Sequence, residues 1–193
     1  MKKKIAIFIS GRGSNMAAIL KNCRDGILKD VCQPVLVFSN KPDAPGLETA
    51  KQFGVPTAVL ESAGKKREAF DRQVLDLLQS YQPDYIVLAG YMRILSPLFI
   101  RAYRNRIINI HPADTAQFQG LGAYVWAWEN GLQETKITVH FVDEGIDTGP
   151  VIGKETVDLR GAQSLEEVER RGLAVEHRFY SEMLRKVFTE QDK

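Results

Sequence analysis

Asn109, His111 and Asp147 are an amide, an imidazole and a carboxylate, the three groups an acyl-transfer site needs to hold and discharge an oxyanion. The first two lie in Asn109-Ile110-His111-Pro112, at the end of the short apolar run Ile107-Ile108-Asn109-Ile110, which reads as a buried strand. Side chains at i and i+2 of a strand share a face, so Asn109 and His111 are expected to point the same way. Asp147 belongs to Gly145-Ile146-Asp147-Thr148-Gly149-Pro150, a loop that must fold back to reach them. Each residue also has an ordinary structural reading: Asn109 as a strand-end amide, Asp147 as turn chemistry.

A second chemical feature opens the chain. The apolar strand Lys4–Ile9 runs into Ser10-Gly11-Arg12-Gly13-Ser14-Asn15, after which Met16, Ile19, Leu20, Cys23 and Ile27 recur at helical spacing. Glycines let the backbone approach a ligand closely, and a helix N-terminus offers free N–H groups to an anion. A dinucleotide fingerprint would need glycine at position 16, which is Met, and the Gly-Lys-Ser/Thr of a Walker loop occurs nowhere. Two readings stay open: a small phosphate site, or a strand-to-helix turn capped by Ser14 or Asn15.

The elements that must position these groups alternate. Pro34–Phe38 and Thr57–Leu60 read as strands around a short helix near Gly46–Phe53. Phe70, Val74, Leu77, Leu78 and Tyr81 form a helix stripe, and Asp84–Ala89 is an apolar strand of the kind buried on both faces of a parallel sheet. Met92–Leu95 connects that strand to a helix beginning at Ser96-Pro97. Strands near Arg106–Ile110, Lys136–Val142 and Val151–Val157 flank a helix around Ala123–Asn130. The last helix opens with the capping box Ser164-Leu165-Glu166-Glu167 and carries Leu165, Val168, Val175, Phe179, Met183 and Val187 on one face. The alternation implies an α/β, Rossmann-like layered fold over residues 1–193 as one domain, mostly parallel with antiparallel C-terminal strands. Ligands of such sheets bind at the carboxyl ends of the strands, where the glycine loop, Met92–Leu95 and Asn109–His111 can converge.

Composition narrows the class. The 193 residues are 44% hydrophobic and 26% charged with a net charge of +2, which favours neither nucleic acid nor an anionic membrane as partner. The apolar run after Lys2-Lys3-Lys4 is too short to span a bilayer. Two cysteines make no disulfide framework, so a reducing cytoplasm is expected. No His, Cys or carboxylate spacing matches a metal site, and none is expected.

Together these segments resemble the phosphoribosylglycinamide formyltransferase family. The resemblance runs through Ser10–Asn15, Phe38-Ser39-Asn40-Lys41, Leu88–Leu95, Asn109–Pro112, Val139-His140-Phe141-Val142, Asp147–Pro150 and Glu176-His177. It implies formyl transfer from 10-formyltetrahydrofolate, as co-substrate, to the amine of glycinamide ribonucleotide. Asn109 and a protonated His111 would then face the formyl oxygen, and Asp147 would raise the pKa of His111. It also implies acceptor contacts from Gly13, Ser14, Asn15 and Glu176, and folate contacts from Arg67, Met92, Arg93, Ile94, Leu95 and Asn109. His140, between Val139 and Phe141, reads as supporting rather than catalytic, and Trp126 and Trp128 as packing. The expected partners are small molecules, and the expected assembly is a monomer or homodimer.

One stretch departs from the family pattern. The usual His-Pro-Ser-Leu-Leu-Pro, leading to a glycine and another histidine, is here His111-Pro112-Ala113-Asp114-Thr115-Ala116-Gln117-Phe118-Gln119-Gly120-Leu121-Gly122. Gly122 stands where the later histidine would be, so acceptor contacts there do not carry over. A formyltetrahydrofolate hydrolase would share the trio but add an N-terminal regulatory domain. A methionyl-tRNA formyltransferase would add a basic C-terminal one. The chain starts at its first strand and ends after its last helix, which favours neither.

Overall fold

The computed structural model describes residues 1–190. Its centre is a seven-stranded sheet in the order β3-β2-β1-β4-β5-β6-β7. The strands are β1 Lys3–Ile9, β2 Cys32–Ser39, β3 Thr57–Val59, β4 Tyr85–Leu88, β5 Ile107–His111, β6 Glu134–Phe141 and β7 Val151–Asp158. The first five pair in parallel, while β5–β6 and β6–β7 are antiparallel. The helices are α1 Ser14–Asp25, α2 Gly46–Gln52, α3 Arg67–Leu78, α4 Pro97–Ala102, α5 Ala123–Glu129 and α6 Leu165–Glu190.

The apolar runs of the parallel strands have a direct cause: both faces are covered. Ile5, Ile7 and Ile9 pack with Met16 and Ile19 of α1 and with Phe179, Tyr180 and Leu184 of α6. The alternate residues Ala6 and Phe8 pack with Phe70 and Val74 of α3 and Phe99 of α4. The result is three layers, helix, sheet and helix, as the sequence pattern predicts.

Two local expectations change. The buried face of α6 is wider than its apolar stripe and includes Gly172, Glu176, Tyr180 and Ser181. The hydroxyl of Tyr180 lies 2.8 Å from the Leu88 carbonyl and 2.9 Å from that of Ile108, pegging β4 and β5 together. At the start of α1 the cap is Gly13, with φ 71°, and not Ser14 or Asn15. No side chain caps that helix, and Ser14 is its first residue. The capping box of α6 forms as expected on one side, with the Glu167 N–H donating to Ser164 Oγ at 3.2 Å.

Strand order reverses between β1 and β4, the switch point at which doubly wound sheets open a crevice. Beyond Leu88 the chain turns away through Gly90, whose φ is +76°. β5 runs on to His111 with only β6 beside it, since the last β4 pairing is Leu88 with Asn109. The carboxyl end of β5 therefore borders an opening.

Candidate active site

Strand register places the first two groups. Asn109 and His111 alternate with the buried Ile108 and Ile110, and Asn109 pairs across the strands with His140. All three side chains meet the carboxylate of Asp147. Asp147 Oδ2 is 3.4 Å from His111 Nδ1, while Oδ1 is 3.4 Å from both His140 Nε2 and Asn109 Nδ2. The fold-back that brings Asp147 there depends on Gly149: a Cβ at that position would lie 1.8 Å from the Phe141 carbonyl oxygen. Thr148 Oγ1 and the Gly145 N–H both donate to Asp143 Oδ1, at 2.6 and 3.0 Å, which closes the loop on itself. Asp147 holds a left-handed φ of 53°, a conformation Asp tolerates better than most residues.

His111 is 4% exposed, and both ring nitrogens face acceptors: Asp147 Oδ2, and the Phe118 carbonyl at 3.0 Å from Nε2. A neutral imidazole has one N–H and satisfies one of them, whereas the imidazolium satisfies both. Burial nevertheless pulls His111 below the ordinary imidazole range, against the upward pull of Asp147 and the Phe118 carbonyl. The resting ring is therefore weighted toward the neutral form. Asp147 acts upward as expected, and desolvation by burial, acting downward, is the larger effect. Burial also works against the charge of Asp147, yet His140, the Gly120 N–H at 2.9 Å and His111 hold its carboxyl below the usual carboxylate range.

His140 supports the trio. Its Nδ1 is 2.9 Å from the Phe141 carbonyl, and its Nε2 lies between Asp147 Oδ1 at 3.4 Å and Asn109 Nδ2 at 3.5 Å. Both contacts of the Asn109 amide are long, so it can turn to a new acceptor at little cost.

These residues line one wall of a cavity of about 710 Å³. Met92–Leu95, Gly120–Gly122 and Ile146 line it as well. Met92, Ile94, Leu121 and Ile146 are exposed apolar side chains at its mouth, a surface suited to a flat, mainly apolar ligand. The Met92 N–H is committed to Ser10 Oγ at 2.8 Å, and Ser10 in turn donates to Asn40 Oδ1 at 2.6 Å. Arg93 turns its guanidinium over the Phe70 ring, 4.6 Å from its centroid, and donates to the Lys65 carbonyl at 3.1 Å. Arg67, the first residue of α3, is exposed and is not among the residues lining this cavity.

A second group forms at the N-terminus of α1. Glu176 is 5% exposed; Oε2 accepts from Asn15 Nδ2 at 2.6 Å and Oε1 from the Tyr124 hydroxyl. Burial raises the Glu176 carboxyl above its ordinary range, opposed by those two donors. Gly13, Ser14, Asn15 and Glu176 thus share one locality, outside the lining of the larger cavity.

A sequence profile described as Formyl transferase matches residues 3–184. The chain belongs to the formyl transferase family. Phosphoribosylglycinamide formyltransferase of Escherichia coli (strain K12) is 42% identical to it over 177 residues, covering 91% of this chain and 82% of that one. The enzyme of the same name from Bacillus subtilis (strain 168) is 34% identical over 186 residues, covering 96% and 94%. Among solved structures, glycinamide ribonucleotide transformylase 1 from Symbiobacterium toebii superposes with a TM-score of 0.90 at 40% identity, covering 95% of this chain and 86% of that one.

Within this formyl transferase, several contacts have no sequence signal. Phe118 and Gly120 act through backbone groups, which any residue carries. Tyr124 lies in the apolar helix Ala123–Glu129 and reads as core, yet its hydroxyl is spent on Glu176. Trp126 stacks on Phe118 at 4.9 Å, and Phe118 lies parallel to His111 at 6.4 Å, so the Trp126 ring packs behind the loop.

Proposed function

We propose that the protein transfers a formyl group from 10-formyltetrahydrofolate to the amine of 5'-phosphoribosylglycinamide in de novo purine biosynthesis. The whole chain acts as one domain on small molecules in the cytoplasm. The observation that carries this reading is the meeting of Asn109, His111 and Asp147 on the wall of a large, mainly apolar cavity. The cavity supports the donor assignment: its mouth offers apolar side chains, and its wall holds polar groups for a formyl carbon.

Bound there, the folate supplies the formyl group. As the acceptor amine adds, negative charge grows on the formyl oxygen, and Asn109 Nδ2 turns from its long contacts to donate to it. One such donor is worth about 2.7–4 kcal/mol in the transition state. His111, weighted toward neutral at rest, takes the proton released by the amine nitrogen. The imidazolium so formed is held by Asp147 at Nδ1, while Nε2, turned from the Phe118 carbonyl, carries the amine's proton and returns it to the folate nitrogen that leaves. One proton moves from the amine to the departing nitrogen, so the transfer balances without a metal.

The acceptor's phosphate is assigned to the N-terminus of α1, with Gly13, Ser14 and Asn15, where the backbone offers N–H groups and no side chain caps them. Glu176 recognises the polar body of the acceptor once the Tyr124 or Asn15 donor yields or shares its oxygen. Met92–Leu95 seats the folate ring, and Arg67, at the exposed start of α3, reaches only the outer tail. The test is tetrahydrofolate release from 10-formyltetrahydrofolate with and without the acceptor. Acceptor-dependent release supports the assignment; equal release in water alone would mark a hydrolase.

A further inference from the structure

Asp114 lies in the segment that departs from the family pattern and is not among the residues lining the cavity. Its carboxylate is buried, 7% exposed, and is gripped by two lysines. Oδ1 accepts from Lys154 Nζ and from the Ala116 N–H at 3.0 Å, and Oδ2 accepts from Lys136 Nζ at 3.2 Å. Lys136 and Thr138 share a face of β6, and Lys154 is the cross-strand partner of Thr138 on β7. Thr138 Oγ1 adds a bond to the Ala113 carbonyl at 2.7 Å. Two ammonium groups this close repel each other, and a carboxylate between them turns the repulsion into attraction. The lysines hold the Asp114 carboxyl well down, at about 2.

The other end of the same turn reaches the catalytic pair. The Asp114 carbonyl accepts from the N–H groups of Gln117 and Phe118 at 2.8 and 2.9 Å. Two steps on, the Phe118 carbonyl meets His111 Nε2 at 3.0 Å, and the Gly120 N–H meets Asp147 Oδ2 at 2.9 Å. We infer that Asp114 is a positioning residue for His111 and Asp147: its clasp to Lys136 and Lys154 sets the turn that aims the Phe118 carbonyl and the Gly120 N–H. The catalytic consequence rests on the function proposed above. The effect on the histidine itself does not.

Asp114→Asn keeps the shape and the Ala116 contact but gives up the charge. Loosening the Phe118 carbonyl removes an upward pull on His111, so its imidazole should titrate at lower pH. With three histidines in the chain, His111 can be followed by NMR, with His177 of α6 as an internal control. The expected result is a downward shift for His111 with His177 unmoved, and a kcat reduced about three- to tenfold, the scale of one weakened hydrogen bond. The folate KM should stay close to wild type. Lys154→Gln should reproduce the shift, and adding it to Asp114→Asn should change little further, because both break one clasp. If Asp114→Asn does not fold, Lys154→Gln carries the test alone. An unmoved or upward His111 titration in a folded variant would overturn the inference, as would additive effects of the two substitutions. A wild-type protein that transfers no formyl group would instead overturn the proposed function and leave the titration result standing.

Discussion

Replacing Asp147 by asparagine removes one charge from the centre of the site with almost no change in shape. At 3.4 Å from His111 Nδ1, an ion pair at an effective dielectric of about 20 has a ceiling of about 5 kcal/mol. The opening beside Asp147 lets solvent cut this toward the usual shift of about 1–3 pKa units for an opposite charge at contact distance. At 1.36 kcal/mol per unit, that corresponds to about 1.4–4 kcal/mol of imidazolium stabilisation. The new amide also cannot serve every neighbour: one of its two positions must set an NH₂ against a donor, either the Gly120 N–H or Asn109 Nδ2. Since the imidazolium forms during the transfer, kcat should fall about 10- to 1,000-fold. The pH profile gives the sign. Activity needs neutral His111 at rest and falls as pH drops through its already lowered pKa. Without Asp147 that pKa drops further, so the acid limb of kcat/KM should move to lower pH. Steady-state kinetics across pH, with circular dichroism to confirm folding, reads both effects. A folded variant with near wild-type kcat and an unshifted acid limb would refute the role of Asp147. In that case Asp143, which lines the same cavity, or Glu144 in the same loop becomes the candidate.

Asn109→Ala should lower kcat by about two to three orders of magnitude while KM moves much less, because the amide gains its partner mainly in the transition state; a KM effect of equal size would make it a ground-state binding residue. Ser14→Leu at the start of α1 should weaken acceptor binding and spare folate binding in calorimetry; unchanged acceptor affinity would remove the phosphate assignment from this loop. Tyr180→Phe deletes the hydroxyl shared by the Leu88 and Ile108 carbonyls and should cost about 1–3 kcal/mol in urea unfolding, as expected when buried acceptors lose their donor; a smaller loss would mean that water or the strands themselves satisfy those carbonyls.

The parallel half of the sheet was legible because strands buried on both faces leave unbroken apolar runs, as Ile5–Ile9 and Tyr85–Leu88 do. The trio was legible for a related reason: a polar amide and imidazole two residues apart on such a strand have one face to share. What the residues alone hid are contacts made by backbone or by side chains disguised as core. Glycine at position 149 looks like any turn residue until the Phe141 carbonyl is found where its Cβ would be. The net pKa of His111 depends on how deeply the folded chain buries it, which no spacing reveals. The clasp on Asp114 leaves no local signal, because its two lysines come from strands 22 and 40 positions away.

Formyl transfer to an amine at the Asn109–His111–Asp147 site is followed at the formyl carbon itself. With 10-formyltetrahydrofolate labelled with carbon-13 at the formyl group, the reaction is run with 5'-phosphoribosylglycinamide and watched by NMR. The label should appear as the formamide of the acceptor, one for each tetrahydrofolate formed, and Asn109→Ala and Asp147→Asn should slow its appearance to the extents given above. Label appearing as free formate, or reaching the acceptor at the same rate in those variants, would contradict transfer at this site.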